Sequence, residues 1–129
     1  MRHDESNLQI ACVRWFRLQY PSIAPLLFSV PNGGRRDAVT GAIIKAEGAV
    51  AGVSDLLLLL PSKNYHGLCI EMKTKTGKQS DAQKVWQKAG EEAGYKYVVV
   101  RDRGNFVFEV DLYLLSSPYH ELVKRLLIT

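Results

Sequence analysis

Two apolar runs in this chain each carry charge where a buried strand has no room for it. The first is Gly52-Val53-Ser54-Asp55 leading into Leu56-Leu57-Leu58-Leu59-Leu60. The second is Gly67-Leu68-Cys69-Ile70 closing on Glu71-Met72-Lys73. Side chains two apart on a strand point to the same face, so Glu71 and Lys73 are presented together. Charged groups at the end of an apolar strand are costly unless they are paired, metal-bound or partly solvated. The polar stretch Pro61-Ser62-Lys63-Asn64-Tyr65-His66 between the runs predicts a turn, and hence an antiparallel hairpin. Residues directly opposite in such a pair share a face, and a slip of one residue turns a side chain to the other side. Asp55 therefore joins Glu71 and Lys73 only if it lies opposite one of them. The turn length permits that register without forcing it.

An acid pair with an ammonium group beside it outlines a site for phosphodiester hydrolysis. That reaction needs charge on the phosphate neutralised, a water made nucleophilic and a leaving oxygen stabilised. Hard divalent cations, Mg²⁺ above all, suit oxygen ligands and serve all three needs. Asp55, Glu71 and a main-chain carbonyl at Met72 would hold one or two ions. Lys73 would position or deprotonate the water, or offset charge in the transition state. A Glu-x-Lys at a strand end also occurs as a plain solvated ion pair, and it is the upstream Asp55 that sharpens the metal-site reading.

At 129 residues the chain is expected to form one domain, 1–129. A 47% hydrophobic and 23% charged composition is that of an ordinary globular protein. The formal net charge of +4 fits a polyanionic partner without requiring one. No apolar run approaches the length of a bilayer, and Met1-Arg2-His3-Asp4-Glu5 is too polar to open a signal peptide. The expectation is a cytoplasmic protein without a membrane partner, in a bacterial or phage-infected cell. Cys12 and Cys69 sit among apolar neighbours and read as buried reduced thiols. No Cys/His spacing suggests zinc, and His3, His66 and His120 are scattered.

The remaining elements read as follows. Asp4 or Ser6 can cap a first helix running to about Tyr20, with Leu8, Cys12, Trp15 and Phe16 on one stripe, ended by Pro21 and Pro25. A short strand over 26–30 stops at the turn Pro31-Asn32-Gly33-Gly34. A short helix is predicted over 36–47, although Thr40-Gly41 weakens it. Ser80 opens a helix to about Ala93, closed by Gly94, and 96–100 is a buried strand. Over 103–116, Phe106, Phe108 and Val110 alternate like a strand, whereas Phe106, Val110, Tyr113 and Leu114 repeat like a helix. The segment is read as helix. A last helix is predicted over 119–127. The fold class is α/β: a central mixed β-sheet flanked by helices, with the Asp55–Glu71 hairpin at its heart.

Five segments in order resemble the VRR-NUC family, the virus-type replication–repair nucleases of the PD-(D/E)XK superfamily. They are Glu5-Ser6-Asn7-Leu8-Gln9, Ser29-Val30-Pro31-Asn32-Gly33-Gly34-Arg35-Arg36, Gly48 to Asp55, Ile70-Glu71-Met72-Lys73 and Gly77-Lys78-Gln79-Ser80-Asp81-Ala82-Gln83. The resemblance spans about residues 4–102 and implies a restriction-endonuclease-like core. It implies that Asp55 and Glu71 are metal ligands, that Lys73 is the catalytic lysine, and that Glu5 is a further acid near the metals. It matches Gln83 to the glutamine that follows the active-site strands. Gln9, one helical turn after Glu5, faces the same side. Ser54 departs from the proline of the superfamily name, a position that supplies no ligand.

Each secondary residue has a structural alternative. Ser80-x-x-Gln83 and Ser6-x-x-Gln9 both fit capping boxes, and Glu5 can simply complement the helix dipole. Arg35 and Arg36 are the better candidates for phosphate contacts, with Lys75 and Lys78 beside the site. Trp15 and Trp86 read as core.

The function expected is Mg²⁺- or Mn²⁺-dependent endonuclease cleavage of DNA. From the resemblance follow selectivity for branched substrates (four-way Holliday junctions or flaps), 5′-phosphate products and a role in replication, recombination or DNA repair, as in phages. It also implies a homodimer, with the apolar segment 112–127 as a candidate interface. The alternative is a catalytically silent nucleic-acid-binding module of the same fold. A small-molecule hydrolase is disfavoured, since no Ser-His or Cys-His pattern is present.

Overall fold

A computed structural model describes residues 2–31 and 38–118. The Asn32-Gly33-Gly34 turn, Arg35, Arg36 and the helix predicted over 119–127 lie outside the described residues.

Helix α1 (Arg2–Gln19) buries the stripe of Cys12, Trp15 and Phe16, with Leu8 partly covered. It begins at Arg2, ahead of both Asp4 and Ser6, so neither residue is its cap. Asp4 instead falls in the first turn with Glu5, where the partial positive charge of the helix end favours acids. Pro21 ends the α-helix and a 3-10 turn follows (Pro21–Leu26). Then come β1 (Leu27–Ser29), α2 (Ala38–Ala46), β2 (Leu56–Leu58), β3 (Leu68–Met72), α3 (Asp81–Glu92), β4 (Lys96–Val100) and α4 (Arg103–Leu115). The ambiguous segment is helical. Asp102 caps it by accepting the Asn105 N–H at 2.7 Å, and Phe106, Val110, Tyr113 and Leu114 form its buried stripe.

The four strands lie in the order β1-β2-β3-β4. β1, β2 and β3 pair antiparallel, while β4 runs parallel to β3 after the crossover through α3. The sheet is mixed, flanked by helices, and the predicted hairpin supplies its two inner strands. One sheet face is dry. Leu56, Leu58, Leu68, Ile70, Met72, Val98 and Val100 pack there against α1 and α4. Trp15 meets Phe106 edge-on with ring centroids 6.0 Å apart, and the Tyr20 hydroxyl donates to Asp111 at 2.6 Å, tying the two helices together. Each fully buried large apolar side chain contributes about 1.5–3 kcal/mol, so this face carries most of the stability.

On the other face Cys69, Glu71 and Tyr97 are buried but stand outside that cluster. The helix α3 beside them buries no residue of its own. Both cysteines are buried free thiols, and burial pushes each up to about 11, so they stay neutral as expected. Among the described residues no helix is long and apolar enough to cross a membrane.

Candidate active site

The register of the hairpin pairs Leu56 with Ile70, Leu57 with Cys69 and Leu58 with Leu68. One step further places Asp55, just ahead of β2, opposite Glu71. That is the arrangement the same-face condition requires. Asp55 Oδ2 accepts the Met72 N–H at 2.7 Å, which pins its carboxylate at the end of β3. Its negative charge is near enough to bear on the Glu71 carboxyl. Lys73 Nζ lies 3.7 Å from Glu71 Oε2 and is itself only 11% exposed. Asp55, Glu71 and Lys73 thus converge on one side of the sheet.

Glu71 is 1% exposed, and both its oxygens are held. The Tyr97 hydroxyl donates to Oε1 at 3.1 Å, and Gln83 Nε2 donates to Oε2 at 2.8 Å. Burial first, then the charge and hydrogen bond of Asp55, push the Glu71 carboxyl up from 4.5 to about 8; Tyr97 and Lys73 pull the other way. Two facing carboxyls, one of them driven to keep its proton at neutral pH, form a site whose ionised state sets two negative charges against the single ammonium of Lys73. A hard divalent cation would balance that excess, and oxygen donors of this kind suit Mg²⁺ or Mn²⁺. Mg²⁺ commonly takes one or two protein carboxylates and completes its shell with water and substrate phosphate. The residues present fit such an ion.

Gln83 performs two jobs that the sequence presents as alternatives. Its Oε1 accepts the Ser80 N–H at 2.8 Å while the Ser80 hydroxyl accepts the Gln83 N–H at 3.1 Å, a complete capping box for α3. The same side-chain amide spends its N–H on Glu71. The cap therefore aims the donor. Gly52 allows α3 to start this close to the strands. Its φ is +87°, and a Cβ there would come within 2.4 Å of the Ala82 carbonyl oxygen.

Glu5 and Gln9 share one side of α1, as their spacing predicts. They line a cleft of about 590 Å³ with Arg14, Arg17, Asp55 and Met72. Since Ser6 lies inside the helix, the Ser6–Gln9 capping box does not form. Glu5 faces the cleft that Asp55 enters, but among the described residues no three acidic, histidine or cysteine side chains gather closely enough to hold a metal. The acid pair stands without it. Lys75 and Lys78 are placed on the loop after Lys73. Arg35 and Arg36, the candidate phosphate contacts, lie outside the described residues.

Two residues of this site escape the sequence reading. Tyr97 holds Glu71 Oε1, and Gln79 Nε2 backs it at 3.3 Å from the phenol oxygen while also donating to Gln87 Oε1 at 2.9 Å. Burial, then the charge of Glu71, raise the Tyr97 phenol well above its ordinary range, so it remains an O–H donor. The available signal is the four-residue spacing of Gln83 and Gln87, which places two amides along one side of α3, with Gln79 just ahead of the Ser80 cap.

A family model for the VRR-NUC domain matches residues 3–103. A solved structure, a "VRR_NUC domain protein", is similar in fold, with a TM-score of 0.77 over 88% of this chain and 89% of its own at 24% sequence identity. No curated protein matches the chain.

Proposed function

The chain belongs to the VRR-NUC domain family, a family of nuclease type, and from that premise we propose that it is a divalent-metal-dependent DNA endonuclease. The observation that carries the proposal is the hairpin register that sets Asp55 opposite Glu71, with Asp55 Oδ2 held by the Met72 N–H at 2.7 Å and Lys73 Nζ 3.7 Å from Glu71 Oε2. Asp55 and Glu71 would hold Mg²⁺ or Mn²⁺, with the Met72 carbonyl at the same strand end. When bound, such an ion supplies Lewis-acid polarisation of the phosphate and a bound water of lowered pKa. Gln83 and Tyr97 fix the rotamer of Glu71, each from its own oxygen. Lys73 offers its N–H donors to charge that grows on the phosphate in the transition state. Glu5 and Gln9 face the cleft on the Asp55 side, where they would contact water or the sugar–phosphate chain.

A domain of this size leaves little surface of its own for reading bases in the major groove. Recognition would run mainly through phosphates, with Lys75, Lys78, Arg35 and Arg36 as contacts, so binding should weaken steeply with salt. Substrate choice by shape, such as a four-way junction or flap, follows from that mode of contact. A homodimer would place two sites on a symmetric junction; Leu112 and Leu115 are exposed on α4 and available for an interface.

One observation favours a second reading, a silent nucleic-acid-binding module: Glu71 is closed over, and both its oxygens are already hydrogen-bonded. Incubation with labelled junction, flap and linear duplex separates the two. The nuclease reading expects nicking in Mg²⁺ or Mn²⁺ that chelator abolishes and Glu71→Ala removes. Tight binding with no cutting in either metal would establish the module instead.

A further inference from the structure

The first turns of α1 separate two clefts. Glu5 and Gln9 face the first, which Asp55 enters, while Asp4 faces a second of about 470 Å³. Lys73 belongs to this second cleft, together with Lys75, Arg101, Arg103 and Asp102. A strand whose scissile phosphate lies between Asp55 and Lys73 borders this space on the Lys73 side. Its lining carries four cations against two acids. Asp102 is already committed to capping α4 through the Asn105 N–H, and Asp4 lies in the acid-favouring first turn of α1.

The cleft has a built wall. Arg101 Nη1 lies 2.6 Å from the Thr74 carbonyl oxygen, 3.3 Å from that of Lys75 and 2.8 Å from that of Gly77. One guanidinium nitrogen thereby ties together the whole turn that follows Lys73, and it fixes the height at which Lys75 stands over the opening. Charge-assisted hydrogen bonds of this kind are about twice as strong as neutral ones, so the turn is held although it is exposed. Arg103, in the first turn of α4, also lines the cleft and is exposed.

We propose that this second cleft is a phosphate subsite. It takes the phosphodiester adjacent to the scissile one on the same strand, with Arg103 and Lys75 as its contacts and Arg101 as the positioning residue that holds Lys75 in place. The proposal rests on the nuclease reading for the identity of the neighbouring phosphate, but its own readout is binding. The next phosphodiester on the strand is one nucleotide away, and a cleft that shares Lys73 with the acid pair is within reach of that linkage.

The test is a cycle between protein and DNA, run in the full chain with Glu71→Gln so that no cutting intervenes. A single neutral methylphosphonate linkage is scanned along a labelled flap and a labelled junction, with and without Arg103→Ala. The expected result is one linkage whose neutralisation weakens binding about 10-fold in the parent and has no further effect in Arg103→Ala, with Arg103→Lys intermediate. Arg103→Ala also lowers the slope of log K against log salt by about 1. If no linkage depends on Arg103, or the two losses simply multiply at every position, the subsite is excluded. Cleavage by the wild type on the same oligonucleotides locates the cut independently. A dependent linkage remote from the cut would overturn the assignment, and absence of any cut in either metal would sink the nuclease reading while leaving the linkage result to stand.

Discussion

The two faces of the sheet are built from the same five-residue strands, β3 and β4, yet do opposite things. On the α1–α4 side, Ile70 and Met72 of β3 meet Val98 and Val100 of β4, all four side chains apolar. On the α3 side the intervening residues, Cys69 and Glu71, meet Tyr97 and Val99. There a buried carboxylate is held by a phenol, an amide and an ammonium. The dry face gains stability from burial and tolerates no charge. The other face accepts the cost of the buried Glu71 beside a half-buried Asp55 and offsets it with donors; among the described residues no buried side-chain polar atom is left without a partner. Stability and chemistry are thereby separated by a single-residue alternation, and a substitution on one face should leave the function of the other intact.

The sharpest way to break that separation is at Glu71. Glu71→Gln should lower cleavage about 1,000-fold, because several kcal/mol of metal-borne transition-state stabilisation go with it. It should also flatten the pH dependence of folding. Glu71 is expected to titrate near 8 in the folded chain against 4.5 when free. Between those values the folded state keeps a proton that the unfolded state releases, so the stability this group contributes is full below about 4.5, declines across the interval and is gone above about 8. In chelator, the melting temperature of the wild type should fall from about pH 5 to about pH 8; a scan in which Glu71→Gln falls just as steeply would assign the slope elsewhere. The opposite experiment is Phe106→Ala on the dry face. It should cost about 3–5 kcal/mol in denaturant unfolding, with metal affinity unchanged in the protein that remains folded.

Gln83 tests whether the α3 face is truly a site or only a helix start. Gln83→Glu keeps a capping acceptor at the third helical position but replaces the donor to Glu71 with a third carboxylate. Thermal stability of α3 should survive better than activity, with cleavage down about 10–100-fold. Equal activity would reduce Gln83 to a cap. The smallest expected effect is at Tyr97. Tyr97→Phe retains the ring packed near Trp86 and removes the hydrogen bond to Glu71 Oε1 together with the acceptor of the long Gln79 contact, so Mn²⁺ affinity should weaken about 10-fold with little change in melting temperature.

Much of this is legible in the order of the residues alone. Alternation within Leu68-Cys69-Ile70-Glu71-Met72 assigns each residue its face, and an antiparallel partner can share the site only if Asp55 opposes Glu71 or Lys73. The capping box at Ser80 and Gln83 is a local pattern that the fold keeps. What stays illegible is long-range. Tyr97 reaches Glu71 only because β4 returns parallel to β3 in the register Glu71 opposite Val99, and nothing in the spacing announces that pairing. Arg101 clasps the 74–77 turn by the same route. The start of α1 misleads for a different reason: Ser6 stands three positions before Gln9, as a capping box requires, but the helix already begins at Arg2. Glu5 shows the limit of a motif, since facing the cleft is not the same as joining the acid pair.

The central claim is that the Asp55 and Glu71 carboxyls form one seat for a hard divalent cation. Calorimetric titration of Mn²⁺ into the DNA-free protein tests it without any assumption about substrate. The account predicts saturable binding that strengthens as the pH rises toward 8, as the acid pair gives up its proton, and that is lost in both Asp55→Asn and Glu71→Gln. Binding that persists unchanged in either variant would contradict it.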